Sequence, residues 1–161
     1  MRSIKYVIVA IFLIYWQLLI AYKFTIYGVL PNFLIPYVIF LSLKTNTGVS
    51  LPIIFFLGLA FDITYPTLLG LNTISFIIMS YLVYRFHHTI NKERLSVVFF
   101  CILILNFIHY FIFFLYYLFS NQVIFSSFSN ILFAFLYNSV ISVLGVYFFI
   151  SVSKIEVTIN V

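Results

Sequence analysis

Residues 95–119 read LSVVFFCILILNFIHYFIFFLYYLF, a stretch of 25 residues without a single charge. About 20 apolar residues are enough to cross a bilayer as a helix. Transmembrane β-strands alternate polar and apolar residues, whereas Phe111–Leu115 is apolar on every side. Backbone groups in lipid must be paired within their own segment, so this stretch predicts a membrane helix.

The composition of the whole chain extends this prediction. Its 161 residues are 65% hydrophobic, 22% aromatic and only 7% charged, and the mean hydropathy is +1.24. A soluble domain carries about 25% charged residues, and a disordered one needs low hydrophobicity. Both classes are excluded. The basic residues are scattered between apolar runs and form no patch, which excludes a nucleic-acid partner. The apolar runs themselves predict that the chain is surrounded by the lipid bilayer.

Charges, glycines and prolines divide the chain into six apolar segments within a single polytopic membrane domain, residues 1–161. We predict that the first is an uncleaved anchor, because it lacks the small-x-small signal of a cleavage site. We therefore predict an all-α integral membrane protein with six transmembrane helices, approximately at residues 4–22, 29–43, 49–65, 68–84, 95–119 and 124–152.

The orientation follows from the excess of Lys and Arg that cytoplasmic loops carry. With both termini in the cytoplasm, Lys23 alone lies outside, and seven basic residues lie inside: Arg2, Lys5, Lys44, Arg85, Lys92, Arg94 and Lys154. The weak point is segment 29–43, which is short and interrupted by Pro31 and Pro36. If it failed to cross, the best five-span arrangement would place six basic residues inside and two outside.

Asp62 is the only acidic residue within a predicted span. A carboxylate in lipid costs about 2.5 kcal/mol or more at the bilayer centre, so a structural or functional role is expected for Asp62. The structural interpretation is that Asp62 accepts N–H groups of the turn at residues 65–70, with donors also near at Thr64, Thr67 and Asn72. The functional alternative is a binding or proton-coupling site.

The last segment carries small and polar residues at spacings of three and four, a pattern by which helices pack in membranes. They are Ser127, Asn130, Ala134, Asn138, Ser142 and Gly145. This stripe faces either another helix of the same chain or the membrane helix of a partner. In the fifth segment, Asn106 and His109 are one turn apart and are expected to bond each other or the stripe.

No catalytic or metal-binding pattern occurs in the sequence. H-E-x-x-H, G-x-S-x-G and P-loop motifs are absent, and so is a close pair of carboxylates. Cys101 is the single cysteine, which excludes an internal disulfide or a thiolate metal cluster. We therefore expect a protein without enzymatic activity, cofactor or metal.

The stretch from Pro31 to Tyr84 resembles the rod shape-determining protein MreD family. The resemblance rests on a proline opening the second span, the G-L-x-x-D run Gly58–Asp62, and the pair Leu69-Gly70 followed by a small polar residue, Asn72. The chain departs from the family pattern where Ala60-Phe61 replaces the usual aliphatic pair.

This resemblance implies a multi-pass protein of the bacterial cytoplasmic (inner) membrane that belongs to the cell-elongation machinery. It implies an MreC-like single-span protein as the direct partner, and MreB, RodA and a penicillin-binding transpeptidase as indirect ones. The family is also similar in fold to the substrate-binding S-components of energy-coupling-factor transporters. A subunit that binds a vitamin-like molecule is therefore the alternative function.

The predicted orientation can be tested by labelling single cysteines in intact cells, in a Cys101→Ser background. A cysteine at position 92 should be protected from an impermeant thiol reagent, because it lies in a cytoplasmic loop. A cysteine at position 121 should react. Reversed labelling would contradict the orientation and the placement of Asp62 towards the outer surface.

Overall fold

The computed structural model describes residues 2–64, 70–86, 95–120 and 125–159. Within these ranges the chain forms six α-helices and one short 3-10 helix, Ala21–Phe24. The α-helices are α1 Arg2–Leu19, α2 Leu34–Lys44, α3 Thr47–Thr64, α4 Leu71–Arg85, α5 Leu95–Phe119 and α6 Phe125–Ile159. The prediction of an all-helical protein is confirmed for this part of the chain.

Three of the helices are long and apolar enough to cross a membrane. They are α3, α5 and the stretch Phe128–Ser153 of α6, whereas the apolar stretches of α1 and α2, Ile4–Leu19 and Leu34–Lys44, are shorter. The number of spans and their orientation therefore stay predictions. Lys92 and Arg94, which carry part of the charge argument, lie outside the described residues.

The second segment differs from its predicted bounds. Residues 29–33 are not helical, and α2 has only 11 residues. At 1.5 Å per residue it is about 16 Å long, roughly half the thickness of the hydrocarbon layer. Asn32 starts the helix, because its side-chain oxygen accepts bonds from the N–H groups of Leu34 and Ile35 at 3.0 and 3.3 Å. Pro36 lies in the first turn, where proline does not interrupt a helix.

Helix α2 forms the centre of the fold. Every residue from Leu34 to Leu43 is buried, and α2 contacts each of the other five α-helices. A helix that is apolar on all sides belongs in a protein interior or a membrane. Its neighbours shield α2 from lipid, which explains why it can be shorter than the bilayer is thick.

Two glycines allow helices to approach closely around this centre. A Cβ atom at Gly145 of α6 would lie 2.7 Å from Cβ and 2.9 Å from Cγ of Pro36 in α2. A Cβ atom at Gly58 of α3 would lie 2.6 Å from the Cα atom of Thr73 in α4. Small residues at helix crossings are typical of membrane proteins, where close packing drives association.

The outer faces of the bundle are strongly apolar. On α1, for example, Ile4, Ile8 and Tyr15 are each at least 60% exposed. Water-soluble proteins do not tolerate contiguous apolar surfaces of this kind without a partner. The surface therefore agrees with a chain surrounded by lipid.

Replacing Gly145 with alanine should separate α2 from α6. The ring of Pro36 is rigid and cannot move aside, so we expect the free energy of unfolding to fall by about 1–3 kcal/mol. Gly48→Ala is the matched control, because a Cβ atom there meets nothing within 4 Å and alanine favours the helix. The free energy of unfolding of both variants is measured in detergent micelles. Equal stability of the two variants would show that the α2–α6 contact is not tight.

Candidate functional site

The carboxylate of Asp62 lies between α3 and α4 and is completely buried. One oxygen, Oδ1, accepts hydrogen bonds from the backbone N–H and the side-chain amide of Asn72, at 3.1 and 3.0 Å. The other, Oδ2, accepts bonds from the backbone N–H and the hydroxyl of Thr73, at 2.9 and 2.6 Å. These four donors match the capacity of a carboxylate, which has about four acceptor positions.

Asp62 thereby caps the start of α4 from a different helix. The residue at the N-cap position of α4 is Gly70, which has a positive φ of 92° and no side chain to offer. An N-cap side chain normally accepts the N–H groups of the second and third helical residues, which here are Asn72 and Thr73. The negative charge also lies at the positive end of the α4 dipole. A carboxylate is therefore buried at this position because it pairs the N–H groups at the start of α4.

The donors differ in part from those that the sequence suggested. Asn72 bonds Asp62, but the hydroxyl of Thr64 donates to the carbonyl of Phe61 instead. Thr67 and Leu69 lie outside the described residues. Thr73 was missed by the sequence analysis, although it follows Asn72 directly and packs on Gly58.

A second polar centre holds the non-helical segment that leads into α2. The side-chain amide of Gln17, in α1, donates to the carbonyl of Pro31 at 2.8 Å, and its oxygen accepts the N–H of Phe33, also at 2.8 Å. Gln17 is only 4% exposed. Pro31, the family-motif proline, thus contributes a buried carbonyl that needs a donor from another helix.

Asn138 of α6 holds the same segment from the opposite side. Its side-chain oxygen accepts the N–H of Asn32 at 2.6 Å, and its amide donates to the carbonyls of Ala134 at 3.1 Å and Leu30 at 3.4 Å. Non-helical backbone at membrane depth is tolerated only where protein groups satisfy it. Gln17 and Asn138 together pair four backbone groups of residues 30–33: the carbonyls of Leu30 and Pro31 and the N–H groups of Asn32 and Phe33.

The stripe on the last helix is thus divided between two environments. Asn138 and Ser142 are buried inside the chain, and Gly145 contacts Pro36. Asn130 is exposed and Ala134 half-buried, while the side chain of Ser127 lies outside the described residues. Packing within the chain therefore explains the second half of the stripe.

Asn106 and His109 do not bond each other. The oxygen of Asn106 accepts the hydroxyl of Ser142 at 3.2 Å, so Asn106 does bond the stripe. His109 Nδ1 lies 2.6 Å from the hydroxyl of Ser75 in α4, and its ring stacks on Phe76. Within the described residues, no group of three or more His, Cys, Asp or Glu side chains could hold a metal ion.

Comparison with known proteins gives one match. The model of a family described as rod shape-determining protein MreD matches residues 1–154. No curated protein and no solved structure matches the chain. The similarity in fold to transporter S-components therefore stays a prediction.

Substitutions at Asp62 test how far its hydrogen bonds, rather than the size and shape of its side chain, stabilise the fold. Asp62→Leu leaves four donors unpaired and should lower the free energy of unfolding by about 3–5 kcal/mol. Asp62→Asn keeps one acceptor oxygen but turns an amide towards two donors, so we expect a loss of about 1–3 kcal/mol. Thr64→Val, which removes an exposed local bond, is the control. A Leu variant as stable as the wild type would contradict the capping role.

A second pair of variants tests the role of Asn138. Asn138→Ala leaves the N–H of Asn32 without an acceptor and should lower the free energy of unfolding by about 2–4 kcal/mol. The neighbouring hydroxyl of Ser139 is buried and has no partner among the described residues, so Ser139→Ala should leave stability unchanged or raise it. Unfolding of both variants in detergent is the measurement. If Ser139→Ala were less stable than Asn138→Ala, the role of Asn138 in holding the segment before α2 would be refuted.

Proposed function

Because the chain belongs to the rod shape-determining protein MreD family, we propose that it is a non-enzymatic membrane subunit of the bacterial cell-elongation complex. In this role it helps to maintain cell shape by positioning peptidoglycan synthesis. The observation that carries the proposal is the family match, which extends over residues 1–154 and so includes nearly the whole chain.

The use of the polar side chains supports this role. Asp62 and Asn138 make their hydrogen bonds to backbone and side-chain groups of the same chain. Ionisable residues that serve transport or proton transfer line a cavity or form a relay with one another. In this chain, Asp62 holds α3 to α4, and Asn138 holds the segment that leads into α2. Both roles are expected of a rigid membrane scaffold.

We further propose an MreC-like single-span protein as the direct partner. MreB, RodA and a penicillin-binding transpeptidase would be reached through it, in the cytoplasmic membrane and with both termini of this chain in the cytoplasm. Membrane helices associate by close packing and by hydrogen bonds. Asn130, an exposed polar residue in the first half of the stripe, is a candidate contact for the partner helix.

Depletion and co-purification test the proposal together. Depleting the protein from a rod-shaped bacterium that encodes it should turn rods into spheres, and the tagged protein should co-purify with an MreC-like protein from detergent extracts. Asn130→Leu should weaken that co-purification, whereas Ser139→Ala is the control. Cells that stay rod-shaped, with no such partner recovered, would refute the proposal. Tight binding of a vitamin to the purified chain would instead favour the transporter alternative.

Complementation with Asp62→Asn separates a scaffold from a proton-coupled site. In a scaffold, shape should be restored in proportion to the amount of folded protein. A variant that folds to the wild-type level and restores no shape would show that Asp62 itself carries a proton or binds a cation.

A further inference from the structure

A polar cleft of about 590 Å³ opens where α2 ends, α3 begins and α4 ends. Its lining includes Thr47 and Gly48 of α3 together with Ser80, Tyr84 and Arg85 of α4. The grooves elsewhere on the bundle are lined largely by apolar side chains, as between α4 and α5. This cleft lies far from Asp62, which is at the other end of α3.

The beginning of α3 supplies free hydrogen-bond donors to the cleft. The carbonyl of Asn46 accepts the N–H groups of Val49 and Ser50, both at 3.0 Å. The N–H groups of Thr47 and Gly48 precede these bonds and have no acceptor within the helix. A Cβ atom at Gly48 would meet nothing within 4 Å, so a ligand atom can approach the backbone there.

Two hydroxyl groups that line the cleft make no hydrogen bond to the described residues. Ser80 lines the cleft; the residue is only 2% exposed, and its hydroxyl makes no hydrogen bond among the described residues. The Oγ1 atom of Thr47 is also buried and lacks a partner in that part of the chain. Ser42 and Thr45 differ, because they donate to carbonyls of their own helix. The unpaired buried hydroxyl of Thr47 is costly, and a ligand oxygen in the cleft would give both hydroxyls a partner.

The electrostatic balance of the cleft favours an anion. Arg85 contributes a full positive charge, and the α3 N-terminus contributes about half a charge more. The C-terminal ends of α2 and α4 oppose it with about half a negative charge each, which leaves a net positive potential. No carboxylate lines the cleft among the described residues.

We propose that this cleft binds a phosphate group. Phosphate oxygens accept hydrogen bonds from helix N-termini, from hydroxyls and from arginine, and these are the donors that Thr47, Gly48, Ser80 and Arg85 present. A neutral polar ligand would use the hydroxyls but not the charge of Arg85. The phosphate belongs either to a phospholipid headgroup or to a water-soluble molecule. The inference does not depend on the proposed role in cell elongation.

Thermal unfolding of the delipidated, detergent-purified protein in phosphate-free buffer tests the proposal. The probes are dihexanoylphosphatidylglycerol below its micelle concentration and inorganic phosphate. Dihexanoylglycerol, which lacks the phosphate, and sodium chloride at equal ionic strength are the controls. We expect saturable stabilisation by the phospholipid. Stabilisation by inorganic phosphate as well would identify a water-soluble source as sufficient, and stabilisation by the phospholipid alone would identify the headgroup.

Variants locate the effect in the cleft. Arg85→Gln should raise the half-saturating concentration by about tenfold, the loss expected for one charged hydrogen-bonding partner. Ser80→Ala should raise it by about threefold without loss of folding, because its hydroxyl has no partner to lose. Lys23→Gln removes a positive charge elsewhere and should change nothing.

Two results would overturn the proposal. One is the absence of a saturable shift with either phosphate probe. The other is a shift that dihexanoylglycerol reproduces, or that Arg85→Gln and Ser80→Ala leave unchanged, since either would show that the phosphate is not held in this cleft.

Discussion

In a hydrocarbon layer, an N–H or carbonyl group without a protein partner has no water to replace it. The fold depends on this constraint at two places where helical bonding fails. At the start of α4, Asp62 accepts the N–H groups of Asn72 and Thr73. In the segment before α2, Gln17 bonds the backbone of Pro31 and Phe33, and Asn138 bonds that of Asn32. Asp62, Gln17 and Asn138 each bond backbone groups that have no helical partner there.

The same constraint explains the central position of α2. A helix of 11 residues cannot carry its ends across a bilayer, so its non-helical approach must be enclosed by protein. The neighbouring helices enclose it, and small residues bring them close enough to do so. Gly145 of α6 contacts the ring of Pro36 in α2, about two helical turns along α6 from Asn138, which bonds Asn32. Close packing and hydrogen bonding thus act together at the α2–α6 contact.

For function, these arrangements assign most intramembrane polar groups to the fold itself. Asp62, Asn138 and Ser142 are bonded within the chain, which agrees with a family of shape-determining membrane proteins rather than with a site for chemistry. The polar cleft at the opposite end of α3 differs, because its hydroxyls and the first N–H groups of α3 point to a ligand. Scaffold and binding site thus occupy opposite ends of the same helix pair.

The sequence by itself determined the helical class and the family, and it singled out Gly58, Asp62 and Asn138. It could do so because hydropathy, small residues and isolated polar residues in apolar runs are local properties that lipid makes decisive. It did not determine that residues 29–33 leave the helix, that Thr73 joins Asp62, or that Gln17 pairs with Pro31. Only the tertiary structure decided these features, because each depends on groups that are between 11 and 106 residues apart in sequence. No sequence period specifies which unpaired backbone group a distant side chain will reach.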